Sequence, residues 1–100
     1  MDKHNVLDKF GELLMQCVRD RTISNWDKLL NGEMKGLSAQ RVMKKIEGFS
    51  EEQIDTLKWI VPKIVDMGVH NLLAMLEECN DINVEFIYNG ESSNIRELSD

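Results

Sequence analysis

The stretch "WIVPKIVDMGVHNLLAMLEE", residues 59–78, decides how this chain is built. With the residues just before it, Ile54, Leu57, Val61, Ile64, Gly68, Leu72 and Met75 fall within about a quarter turn of one another at 100° per residue. Ile60, Val65, Val69 and Leu76 widen that face. The spacing predicts a long helix with this stripe turned inward. Pro62, the chain's one proline, stands at the flank of the stripe. Its missing N–H frees the carbonyl of Lys58, which predicts a bend or a fresh helix start there. Gly68 lies on the stripe, where the missing side chain predicts close approach by another helix. His70 falls on the opposite side, with Trp59, Lys63, Asp66 and Glu77.

Upstream, the grammar of helix starts is clear. In "GLSAQRVMKKIEGFSEEQI", Ser38 is expected to cap a helix, with Leu37 and Val42 as a hydrophobic staple and Gly48 as its stop. Ser50-Glu51-Glu52-Gln53 matches the capping box, with Phe49 stapled to Ile54, and two acidic residues suit the positive helix end. Further back, Val6, Leu7, Phe10, Leu13, Leu14, Cys17 and Val18 recur at helical spacing and predict an amphipathic helix of about five turns. Gly11 interrupts it at a cost of roughly 1 kcal/mol against alanine. Thr22 or Ser24 then caps a short helix carrying Ile23, Trp26, Leu29 and Leu30, ended by Asn31-Gly32. One continuous helix through Arg21 is the alternative.

Downstream of Cys79 the period changes to two. Ile82, Val84, Phe86 and Tyr88 alternate with Asn83, Glu85 and Ile87, as in a strand. Asn89-Gly90 is a hairpin turn signal, yet "ESSNIRELSD" is a poor second strand and reads as a polar, helical end. The strand is therefore expected to pair across a dimer, to pack as an arm, or to find its partner beyond Asp100. The whole is expected to be mainly α: one domain, residues 1–100, a small antiparallel bundle of four or five helices. Residues 82–100 are an arm or hairpin remnant within it.

One hundred residues suffice for one modest core. A several-hundred-Å³ active-site pocket is hard to spare in such a body, which argues against an enzyme. No apolar run approaches the roughly 18–20 residues that cross a bilayer, and "MDKHNVLDKF" is too charged for a secretion signal. Cys17 and Cys79 have no metal-type spacing. One disulfide is arithmetically allowed, but two reduced thiols in the cytoplasm are expected. Net charge is −6, distributed unevenly. Residues 1–50 carry nine Lys/Arg against seven Asp/Glu, and residues 51–100 carry three against eleven. The acidic half repels phosphate backbones, which argues against nucleic acid there; it could face a basic protein partner, and a solvated, solubilising surface is the simpler expectation. The basic cluster Lys35, Arg41, Lys44 and Lys45 lacks interleaved aromatics and reads as a solvated helix face.

Asp66 and His70, spaced i, i+4, can touch. A metal site needs more ligands than they supply, and acid–base work needs an enclosed pocket. An exposed ion pair is the simpler expectation. Trp59, opposite the stripe, either contacts another molecule or faces a neighbouring helix. Trp26 reads as a lid over the core or as part of a binding loop with "NGEMKG". The methionines read as core filler rather than a soft metal site. No phosphate-binding loop, nucleophile elbow or H-E-x-x-H motif is present, and no cofactor is expected.

At "ISNWDKLLNGEMKGLSAQRV" and "MGVHNLLAMLEE" the chain resembles a family of small bacterial helical proteins without an assigned activity. The likeness covers roughly residues 20–80. It implies a helical bacterial domain and no site residues. Two functional classes follow. The first is a non-catalytic interaction or assembly module, self-associating as a homodimer or masking a basic partner as immunity proteins and antitoxins do. Its contact candidates are Trp26, Trp59, Phe86 and Tyr88. The second is a small-ligand or metal binder, or an enzyme, using Asp66, His70 and Glu77.

Overall fold

A computed structural model describes residues 3–79, 81 and 83–96, with Lys3 and His4 as backbone alone. Residues 3–30 form one continuous helix in three segments. These are α1 (Lys3–Leu13), a π-helical segment (Leu14–Asp20) and α2 (Arg21–Leu30). Leu13, Asp20 and Arg21 all keep right-handed helical backbone angles, so neither Thr22 nor Ser24 starts a new helix. The short α3 (Leu37–Lys45) and the long α4 (Glu51–Glu78) follow. A hairpin of β1 (Glu85–Tyr88) and β2 (Glu91–Asn94) ends the described chain.

The described residues therefore hold three helices, counting 3–30 as one, and a two-stranded antiparallel sheet. This corrects the expected bundle of four or five helices. Two of the expected helices are one, because nothing between Leu13 and Arg21 breaks the run. The π segment has a further effect. It takes more than 3.6 residues per turn, so positions that project inward on an α-helical wheel are rotated outward. Cys17 and Val18, expected inside, are exposed.

Asn31 accepts a hydrogen bond from the Lys58 ammonium at 2.5 Å, and the Arg19 guanidinium reaches Asp66 at 2.5 Å. The opposed numbering of these contacts makes α2 and α4 antiparallel. Ile23, Ser24 and Asp27 line one cleft together with Pro62. α4 runs through Pro62 without interruption, so no fresh helix starts there. The ring's φ is already helical, and the single lost backbone bond lies where α2 runs alongside α4, with Ile23, Ser24 and Asp27 beside Pro62.

α4 starts as its sequence requires. The Ser50 hydroxyl accepts from the Gln53 N–H at 3.1 Å, and the Gln53 side chain accepts from the Ser50 N–H at 2.8 Å. α3 starts two residues earlier than expected. Gly36 is its cap, Ser38 lies within the helix, and Leu37 is exposed rather than stapled. The Gln40 amide donates to the carbonyl of Lys35 and so closes the start from outside.

The strand after Cys79 finds its partner within the chain. Phe86 pairs with Ser93 and Tyr88 with Glu91, and the Ile95 N–H extends the ladder to Val84. Asn89 and Gly90 carry φ of 53° and 82°, the two positive angles that a two-residue hairpin turn requires. This replaces the expected pairing across a dimer and the arm, and it replaces the polar helical end as far as Asn94. Ile82 and residues 97–100 lie outside the described residues.

Among the described residues the buried apolar set is Val6, Leu7, Leu14, Leu30, Ala39 and Ile95. It is split between the hairpin end and the α2–α3 end, and α4 contributes nothing to it. The molecule is elongated, 52 × 26 × 24 Å, with a radius of gyration of 17.6 Å. A compact chain of 100 residues has about 13 Å.

Candidate functional site

The predicted inward stripe of α4 is divided by the structure. Ile54, Val61, Pro62, Val65, Val69, Leu73 and Leu76 are half-buried, on the side that meets α2. Ile64, Gly68, Leu72 and Met75, expected inside, face solvent with Ile60 and Met67. Ile64 is 63% exposed and Met67 66%. The reason is in the wheel. α4 is apolar around more than half its circumference, and one antiparallel neighbour covers only about a third of a helix. The remainder is an apolar face with no element of the described chain over it. A side chain added at Gly68 would meet nothing within 4 Å, so no helix of this chain approaches there as expected.

The other candidates separate. Asp66 does not serve His70. Its carboxylate receives the Arg19 Nε at 2.5 Å and Nη2 at 3.4 Å, and Arg19 also holds Asp20 at 2.8 Å. The hydrogen bond from Arg19 keeps the Asp66 carboxyl below its ordinary range, and the same bond raises the guanidinium. Asp66 thus ties α4 to the π segment. His70 and Glu77 are exposed on the same flank. No group of three or more His, Cys, Asp or Glu among the described residues has a metal-holding arrangement.

Trp59 is 62% exposed and carries the Lys63 ammonium 3.8 Å above its ring, so it faces no neighbouring helix. Such a cation–π contact keeps a bare indole partly covered. Trp26 lies within α2 rather than in a loop and is exposed. Phe86 and Tyr88 turn toward α1. Phe86 meets Phe10 edge-on at 5.4 Å, and Lys9 stands 5.7 Å from the Tyr88 ring. Both aromatics are accounted for by packing within the chain.

Two features escaped the sequence reading. Arg96 donates to the carbonyl of Cys79 at 2.6 Å, a cation at the negative end of α4 that ties the hairpin to it. Alternation in "SSNIR" was the available signal, since Ser93 and Ile95 are both buried. The second feature is the apolarity of α4 itself. An 18-residue window reaches a mean hydropathy of 1.2 with no more than two charged residues, none of it buried. This corrects the expectation that no run approaches membrane-spanning length.

No protein-family model, no curated protein and no solved structure matches the chain.

Proposed function

We propose that this chain is a non-catalytic protein-interaction or assembly module whose contact surface is the solvent face of α4. The observation that carries this reading is the exposed row Ile60, Ile64, Met67, Leu72 and Met75 on a helix with no buried residue. Rows of large apolar side chains on one rigid helix mark contact sites, because leaving them in water is unfavourable by roughly 25 cal/mol per Å². Helix faces of this kind are read by partners at i, i+3/i+4 and i+7 spacing. The clefts support the same side. The one beside Pro62 is lined by Arg19, Asp20, Ile23, Ser24, Asp27 and Pro62, and that at the start of α4 by Asn31, Phe49, Glu51, Ile54, Asp55 and Lys58. Both are open to solvent.

A photo-reactive residue replacing Ile64, compared with one replacing Arg41 on α3, tests the reading in the cells that make the chain. A discrete adduct from position 64 and none from position 41 is the expected result. No adduct from position 64, or the same adducts from both, overturns it.

A further inference from the structure

We propose that the open face of α4 pairs with α4 of a second copy of this chain, antiparallel, along the seam Ile60, Ile64, Met67, Asn71 and Ala74. The inference deepens the interaction reading above and rests on it.

The spacing of those five residues is four, three, four and three, the alternation of a coiled-coil seam. Ile60, Ile64 and Met67 are its exposed apolar members, Ala74 is half-buried, and Asn71 is the single polar one. A lone amide in such a seam costs stability and fixes alignment. Along the flanks stand Val61, Gly68 and Met75 on one side and Lys63, His70 and Glu77 on the other.

Antiparallel pairing about a two-fold axis near residue 69 sets Ile64 opposite Ala74 and Met67 opposite Asn71, with Ile60 beside Glu78 of the second copy at each end of the seam. It brings the open Gly68 of each copy together, where the absent side chains permit close approach. It also sets Lys63 opposite Glu77 of the second copy, twice, and pairs the helix dipoles head to tail. Parallel pairing does none of this. It leaves Lys63 opposite Gly68 and lays one acidic C-terminal region beside the other, where Glu77, Glu78, Asp81, Glu85 and Glu91 outnumber Arg96 among the described residues.

The chain, of 11.6 kDa, exposes 7431 Å², whereas a compact monomer of that mass exposes about 5,800 Å². That excess belongs to the elongated chain as a whole, of which the open face of α4 is one part.

A membrane fits less well. Asp66 and Lys63 sit in the middle of the apolar window, and Asp66 is bound to Arg19. A helix lying on an anionic surface also needs Lys and Arg along its polar side, whereas α4 carries six carboxylates against two lysines.

Sedimentation equilibrium on the pure full-length chain is expected to read twice the chain mass. Ile64→Asp is expected to return it to the single mass; the variant remaining dimeric overturns the seam. That variant can unfold, so a second measurement uses an intact seam. In a background with Cys17 and Cys79 replaced by alanine, single cysteines are placed at His70 or at Thr56 and treated with a short bis-maleimide. Antiparallel copies bring the two positions 70 together and hold the two positions 56 about 39 Å apart, at 1.5 Å per residue.

Linked dimer from position 70 and none from position 56 is the expected outcome. Linking at 56 as efficient as at 70 overturns the orientation. Linking at neither overturns the pairing. A chain that stays monomeric and floats with neutral or anionic phospholipid vesicles also overturns it, in favour of a lipid surface. If the pure chain is monomeric while position 64 captures a different protein in cells, the second-copy inference fails and the interaction reading stands. If position 64 captures nothing, itself included, both fail.

Discussion

At Asp66 the consequence is a pH dependence. The hydrogen bond from Arg19 lowers the carboxyl's pKa in the folded chain below its ordinary value, so the unfolded chain binds more protons between the two values. Stability from this contact is therefore fully present above the ordinary carboxylate pKa of about 3.9. It is lost as pH falls through the lowered folded value. Urea midpoints should show Asp66→Asn less stable than wild type at about pH 7, the difference shrinking as acid protonates the native carboxylate. An undiminished difference in acid would mean that Asp66 acts through something other than its charge. The residue was legible as polar and outward. Its partner was not, because i, i+4 spacing made His70 the neighbour in sequence. Arg19, 47 residues away, was chosen by the antiparallel placement of α2.

Among the elements, α4 and the hairpin were read with unequal success. The capping box at Ser50 was readable because both of its bonds join residues three apart. Ser50→Ala should cost about 1 kcal/mol, measured by chemical unfolding, with loss of amide protection confined to the first turn of α4. The turn at Asn89-Gly90 was readable for a similar reason, since few residues take positive φ. Gly90→Val places a β-branched residue at φ 82° and should destabilise by about 1–2 kcal/mol. The loss should be accompanied by faster amide exchange at the Cys79 end of α4, which Arg96 holds. Unchanged exchange there would show that hairpin and helix open independently. β2 was not readable as a strand, since Glu91-Ser92-Ser93-Asn94 has weak strand preference. What makes it one is burial of Ser93 and Ile95, with contacts from α1 at the far end of the chain.

For the molecule as a whole, the six buried apolar residues among the described ones make a small core. Chains of this length usually bury enough apolar area to offset the entropy of ordering. The proposed pairing through α4 would add the missing burial, and on that proposal folding and association should be coupled. The melting temperature should then rise with protein concentration, by calorimetry or circular dichroism, and the rise should vanish in Ile64→Asp. A concentration-independent transition in wild type would count against coupling. By itself the amino-acid sequence determined the helical character of residues 3–30 and 51–78, the start of α4 and the turn at 89–90. Each depends on side chains and backbone within a few residues. Only the tertiary structure decided that 3–30 is a single helix with a π segment, that Asp66 belongs to Arg19, and which face of α4 is covered. A helix apolar over more than half its circumference offers two usable faces, and the one that packs is set by where α2 lies.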